Sequence, residues 1–236
     1  VTSKNTDTDA CTWTAPIGTL KPIQAIGNCP ITVEWDVLNP EGTHTTGTND
    51  VSSHAFQIGT STITYTLKDK DGIQVSKIFT VTVQDKEKPT IVAPANVTIN
   101  LTSTCVASEV NLGTPTTTDN CTIDSLVNDA PATFALGNTN VVWTVTDAYG
   151  NTNSAIQTVT VIDNQVPIIT FAPGHTIVKS TDSGKCDYTV TGTEFDPFAT
   201  DNCSMETFTH NYTNAVSNTT LAGAIFPKGV TTITWT

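Results

Sequence analysis

The chain has 236 residues, 10 Lys+Arg against 22 Asp+Glu, a formal net charge of −12, and no arginine at all. Recognition of phosphates and bases depends on Arg and clustered Lys, so the composition argues against nucleic acid and against anionic membrane surfaces, and an acidic surface favours solubility and divalent cations. No apolar run approaches the roughly 20 residues of a membrane-spanning helix; no signal peptide is visible, which fits an excised interior piece.

Taken in order, the periodic segments all predict strands. Alternation of apolar and polar residues runs through Thr62–Leu67, Ile78–Val83, Asn96–Leu101, Val141–Thr146, Ile156–Ile162 and Thr231–Trp235. About one residue in five is Thr, and β-branched residues suit strands. In Ile78–Val83 one face carries Phe79, Val81 and Val83 and the other Ile78, Thr80 and Thr82, the pattern of a half-buried strand. No segment shows a helical stripe. Short strands with frequent turn signals predict an all-β chain of immunoglobulin-like β-sandwiches.

The segments also repeat. Asp85-Lys86-Glu87-Lys88-Pro89 returns as Asp163-Asn164-Gln165-Val166-Pro167, and Asp69-Lys70-Asp71-Gly72 as Asp147-Ala148-Tyr149-Gly150, both 78 residues later. A fixed offset shared by separate segments marks a repeated unit. Ile63–Thr66 matches Val141–Thr144 and again Ile233–Thr236, where the third copy stops short of its Thr-Val-Thr-Val strand. The expected modules are 1–84 (divergent), 85–162, and 163–236, truncated before its last strand. Short linkers stiffened by Pro89 and Pro167 predict an extended rod. Tyr65, Trp143 and Trp235 share one strand position and are expected in the cores.

One cysteine pair falls in each copy: Cys11 and Cys29, Cys105 and Cys121, Cys186 and Cys203. The scattered His44, His54, His175 and His210, and the lack of Cys-x-x-Cys spacing, argue against zinc. Co-occurrence within each copy predicts the bonds Cys11–Cys29, Cys105–Cys121 and Cys186–Cys203, and hence an oxidising, extracellular setting. A straight strand advances about 3.3 Å per residue, so each intervening segment must fold back for these pairs to close.

Pro94–Ile99, Thr118-Asp119-Asn120-Cys121, Thr146–Asn151 and the following Thr-Val-Thr-Val strand together resemble the hyalin repeat (HYR) module. The second copy matches throughout, the third up to its end through Thr200–Cys203 and Phe226–Gly229. The first is poorer, with Gly27-Asn28-Cys29 in place of Asp-Asn-Cys. The resemblance implies Ig-like folds in extracellular or cell-surface adhesion proteins. Long arrays look like the giant surface adhesins of bacteria, including those of gliding motility.

In such a sandwich the last hairpin loop faces the preceding module. Asp85, Glu87, Asp119 and Asp147 are therefore expected to meet at one junction and could share a Ca²⁺, whose 6–8 oxygen ligands suit such a place. Asp163 and Asp201 would begin the equivalent site at the next. The bland alternative is that these aspartates cap turns by bonding nearby backbone N–H groups. Asp69-Lys70-Asp71-Gly72 is no EF-hand loop, having neither the twelfth-position Glu nor flanking helices.

Nothing marks a catalytic centre. No Ser-His-Asp set or phosphate loop stands out, and Glu34, Glu41, Glu109, Glu194 and Glu206 fall in unmatched positions. The expected function is non-enzymatic: a stiff stalk in a secreted or surface adhesin, its partners the neighbouring modules. Direct binding of a glycan or protein with avidity is the alternative. It would call for exposed aromatics recurring in each module, and Trp13 and Trp35 occur only in the first.

Overall fold

The computed structural model describes residues 2–22, 30–171, 177–203 and 207–236. Among them every regular element is a strand. In chain order the first stretch holds β1 (Thr2–Asn5), β2 (Thr12–Thr14), β3 (Ile31–Leu38), β4 (His44–Thr48), β5 (Ala55–Gln57), β6 (Gly59–Asp69) and β7 (Gln74–Gln84). Next come β8 (Thr90–Val92), β9 (Val97–Leu101), β10 (Val106–Ser108), β11 (Thr116–Thr118), β12 (Ile123–Asn128), β13 (Thr133–Ala135), β14 (Gly137–Asp147) and β15 (Thr152–Asp163). The last are β16 (Ile168–Thr170), β17 (Asp187–Thr189), β18 (Phe198–Thr200) and β19 (Ile225–Pro227). The fold is all-β and of the Ig-like sandwich class.

Two compact units are formed. The first comprises Val1–Asn96, Asn111–Ala130 and Asn140–Thr158; the second comprises Val97–Val110, Pro131–Thr139 and Val159–Thr236. In the first, a five-stranded sheet runs β1-β7-β6-β3-β4, with β2 paired to β5. Its core is Val37, Val51, Phe56, Ile63, Tyr65, Val81 and Val83, to which Trp13, Trp35 and Phe79 add their rings. Alternation drives this arrangement: Val81 and Val83 are fully or nearly fully buried, whereas Ile78 on the other face is exposed. Gly47 lies under the Trp35 indole, where a Cβ would overlap the ring. Also in this unit, β8 pairs with β11 and β12 with β14, both antiparallel.

Within the second unit, β9 runs parallel to β15 from Val97↔Val159 to Leu101↔Asp163. This repeats the parallel pairing of β1 with β7, Thr2↔Val81 to Asn5↔Gln84. Three further antiparallel pairs are β10–β13, β16–β18 and β17–β19. Val190, Leu221 and Ala224 form a small core with Tyr188, Phe195, Tyr212, Phe226, Ile233 and Trp235 against it.

The strand pairs recur in step with the sequence repeat: β2–β5, β10–β13 and β17–β19 are one motif, β8–β11 and β16–β18 another. The expected strands at Thr62–Leu67, Ile78–Val83, Asn96–Leu101, Val141–Thr146 and Ile156–Ile162 all fall within β6, β7, β9, β14 and β15, give or take a residue. Thr231–Trp235 does not form one. It makes a single bridge, Trp235 with His210. The difference is pairing: β6 is bonded on one side to β7 over ten residue pairs and on the other to β3, and no such ladder runs along Thr231–Trp235 among the described residues.

Candidate functional site

The site follows from how the linker Asp85–Pro89 is held. Asp85 lies where β7 ends and is only 7% exposed. Its Oδ1 accepts from the backbone N–H of Glu87 (3.1 Å) and from Thr6 Oγ1 (3.3 Å), so it organises a turn and ties the linker to the start of the chain. The β14–β15 loop and the start of β15 grip the same linker by its carbonyls. Asn151 Nδ2 donates to Asp85 O (3.4 Å) and Asn153 Nδ2 to Pro89 O (2.9 Å).

Asp147 shapes that loop. Its Oδ1 accepts from the N–H of Tyr149 and of Asn151, both at 2.8 Å, and its Oδ2 from Asn151 Nδ2 at 2.7 Å. Burial pushes this carboxyl up, but the Asn151 side chain and the backbone N–H groups of the turn outweigh burial and hold it below the ordinary value. Asp69 does the same in the β6–β7 loop, bonding the N–H of Asp71 and Ile73. Asp147 therefore has both oxygens committed to its own turn.

The third party is the loop after β11. Asp119 Oδ2 accepts from Cys121 N–H (3.0 Å), and Asn120 Nδ2 donates to Ala10 O (3.1 Å). Cys121 then bonds Cys11, Cα to Cα 4.9 Å. The next repeat does the same. Asn202 Nδ2 donates to Thr104 O (3.0 Å), and Cys203 bonds Cys105, Cα to Cα 4.7 Å. Ala10 and Thr104 each precede the bonded cysteine, and each cysteine stands just before the equivalent strand, β2 or β10.

The cysteine pairing thus corrects the sequence expectation. The bonds are Cys11–Cys121 and Cys105–Cys203, not Cys105–Cys121 or Cys186–Cys203, and Cys186 is free and exposed. Cys29, the expected partner of Cys11, lies outside the described residues, but Cys11 is taken by Cys121. The physical reason is topological. Cys105 leads into β10, which pairs with β13, and Cys121 follows β11, which pairs with β8. The two cysteines of one repeat belong to different strand pairs, and the Asp-Asn-Cys loop is turned toward the preceding repeat.

This packing leaves three buried oxygens without a hydrogen-bond partner: Asp85 Oδ2, Asp119 Oδ1 and Asn120 Oδ1. Asp85, Asp119 and Cys121 place potential ligand atoms within 4.8 Å of one another. The Cys121 sulfur is consumed by its disulfide, which leaves the oxygens as donors. Among the described residues no Lys or His makes an ion pair with either aspartate. Beside them is a hollow of about 200 Å³ lined by Asp9, Glu87, Lys88, Thr90, Thr118, Asp119 and Asn120. Glu87 Oε2 accepts from Asp9 N–H (3.4 Å) and does not join the cluster. At the following linker Asp163 Oδ1 accepts from Gln165 N–H, and Asp201 Oδ1 from Asn202 N–H. Among the described residues these two form no such cluster with a third group.

Sequence reasoning missed the asparagines. Asn120, Asn202, Asn151 and Asn153 do the joining, and three of them sit inside the motifs that carry the HYR resemblance.

No protein-family model matches the chain. Over 98% of its length it is similar to hyalin of Strongylocentrotus purpuratus, 31% identical over 245 residues that make up 19% of that protein. Hyalin of Lytechinus variegatus is 28% identical over 197 residues, covering 77% of this chain and 34% of that protein. The chain thus spans well under two thirds of either relative. Both come from sea urchins, and the expected likeness to bacterial gliding adhesins finds no support in them. Among solved structures, human CDH23 EC21-23 matches with a TM-score of 0.32 at 10% identity, covering 98% of this chain and 89% of that one. The fibronectin(III)-like modules of Clostridium thermocellum CbhA match at 0.26 and 14% identity, covering 59% and 83%. The sequence similarity supports a hyalin-like repeat as the building unit of this chain.

Proposed function

We propose that this chain is a non-enzymatic spacer segment of an extracellular adhesion protein, built of three modules at 1–84, 85–162 and 163–236. The observation that carries the reading is the twice-repeated fastening of an Asn-Cys loop to the preceding repeat. A disulfide at each fastening suits an oxidising exterior and removes freedom that a flexible tether would keep. The exposed aromatics favour a spacer over direct ligand binding. Tyr149, Phe171 and Phe198 are exposed, but their counterparts by repeat position and strand pairing are Asp71, Ala93 and Thr116, so among the described residues no exposed aromatic recurs from repeat to repeat. Small-angle scattering of the oxidised chain should show an elongated particle. A compact globule would sink the spacer reading.

Calcium at the first junction is part of the same proposal. Two carboxylates within a few ångströms repel, and a buried oxygen without a partner costs about 1–3 kcal/mol. A hard cation bound by Asp85, Asp119 and Asn120 would relieve both. Asp147 would act through the turn it shapes, since its oxygens are occupied. Calcium at a hundredfold excess over its Kd would stabilise the chain by about 2.7 kcal/mol. The melting temperature should rise with calcium and fall with chelator, and Asp85→Ala or Asp119→Ala should remove the difference. Asp147→Ala should lower stability in both conditions. Equal melting temperatures, with no heat of binding at millimolar calcium, would leave these residues as turn formers only.

A further inference from the structure

No single repeat carries a local zinc motif, but the first junction assembles a zinc-like donor set across repeats. Cys11 and Cys121 meet with their Cα atoms 4.9 Å apart. The Cys121 sulfur and a carboxylate oxygen from each of Asp85 and Asp119 lie within 4.8 Å of one another. A tetrahedral Zn²⁺, with Zn–S of about 2.3 Å and Zn–O of about 2.0–2.2 Å, spaces its ligands by about 3.3–3.8 Å, which falls inside this cluster. Burial points the same way. Asp85 is only 7% exposed, and neither its Oδ2 nor the buried Oδ1 of Asp119 has a hydrogen-bond partner. The other disulfide supplies the contrast. Cys105–Cys203 closes in the same manner, with Asp201 two residues before Cys203, yet among the described residues no such set of ligand atoms gathers there.

We propose that the first junction is a redox-selected cation site. With Cys11 and Cys121 reduced, their two thiolates and the carboxylates of Asp85 and Asp119 bind Zn²⁺. Closing the disulfide withdraws both sulfurs, expels the zinc and leaves only oxygens. This deepens the calcium reading of the same junction and rests on the same two carboxylates. Donor softness decides the exchange, since thiolates favour zinc whereas carboxylate and amide oxygens alone favour calcium. Zinc would hold the junction together until the disulfide replaces it.

The steps balance. As zinc binds, the two thiols release two protons to solvent. Glutathione disulfide is the oxidant, acting by two exchanges. One cysteine thiolate attacks it and releases the first glutathione thiolate. The other cysteine thiolate attacks the protein sulfur of the mixed disulfide and releases the second. The two protein sulfurs lose two electrons, glutathione disulfide gains them, and the two glutathione thiolates take up protons. Zn²⁺ leaves with its charge unchanged.

The test uses the whole chain with Cys29, Cys105, Cys186 and Cys203 replaced by serine, reduced and kept free of oxygen. Co²⁺ is the spectroscopic probe and Zn²⁺ its competitor. About one equivalent of Co²⁺ should bind, giving a thiolate charge-transfer band and the visible bands of a tetrahedral ion, and Zn²⁺ should abolish both. Glutathione disulfide should release the zinc to a chromogenic chelator in step with disulfide formation. Asp85→Asn and Asp119→Asn should each weaken zinc binding by about tenfold or more, since even outer groups of metal sites are worth that much. In the otherwise unaltered reduced chain the same two substitutions should weaken the tightest zinc site equally, which guards against a loss of fold in the four-serine chain. Octahedral cobalt without a thiolate band would overturn the proposal. So would unchanged affinity in both Asn variants, or zinc retained after the disulfide closes. No heat of calcium binding to the oxidised chain, beside a tetrahedral cobalt spectrum of the reduced one, would sink the calcium reading alone.

Discussion

Trp143 and Gln157 show how one residue choice depends on its neighbour. In the first repeat the ring of Tyr65 stacks on Phe79 at 6.2 Å, and the Tyr65 hydroxyl accepts from Val51 N–H. At the same two positions, 78 residues on, stand Trp143 and Gln157. Gln157 is fully buried, yet its side chain is satisfied: Oε1 accepts from Trp143 Nε1 (3.0 Å), and Nε2 donates to Ala95 O (2.7 Å) and Leu112 O (2.9 Å). Tyr65 brings its own polar tip to a backbone partner; the Trp143 indole N–H needs an acceptor, and Gln157 is it. Gln157→Leu keeps the volume roughly but strands one donor and two carbonyls. Urea unfolding should show a loss of at least about 1–3 kcal/mol, the cost of one such buried group. A change under half of that would mean that water replaces the amide.

At the scale of elements, the two long hairpins are set by the same turn. Asp69 and Asp147 each bond two backbone N–H groups across their loops, and Gly72 and Gly150 each adopt a positive φ, +83° and +88°. A Cβ at Gly150 would meet nothing within 4 Å, so the requirement there is torsional and not steric crowding. Gly150→Ala should destabilise by about 1–2 kcal/mol, the cost of an L-residue in the left-handed region. Gly150→Asn, better tolerated there, should cost less. Equal losses for Ala and Asn, measured as midpoints of urea unfolding, would show that the turn relaxes to another conformation. Thr231–Trp235 makes the complementary point: a strand pattern becomes a strand only where neighbours take up its backbone groups.

For the whole molecule the disulfides matter most. Each closes a long loop, spanning 110 and 98 residues, and in the chain-entropy account a loop of that length is worth up to about 4–5 kcal/mol. Removing Cys11 and Cys121 together by serine substitution should lower stability by a large part of that figure, read from the urea midpoint. An unchanged midpoint would restore the pairing within one repeat.

Much of this was legible in the sequence because it is local. Strict alternation, as in Ile78–Val83, fixes which face is buried through the two-residue period of a strand. Asp-x-x-Gly fixes the hairpin turns through one carboxylate and one positive φ. A shared offset of 78 residues fixes the repetition, whatever the fold. Cysteine pairing was different. Cys105 and Cys121 are close in sequence and one pair falls in each copy, but a disulfide requires Cα atoms to meet in space. That is decided by which strands pair: β10 goes to β13 and β11 to β8. The same holds for the candidate cation site. Asp85 and Asp119 were visible as acidic positions, but only the packed junction committed Asp147 to its own turn, left Glu87 outside, and turned Asn120 inward beside the two carboxylates. Contacts within a few residues follow from chain geometry. Contacts across a hundred residues exist only once the sheets have formed, and they are what joins one repeat to the next.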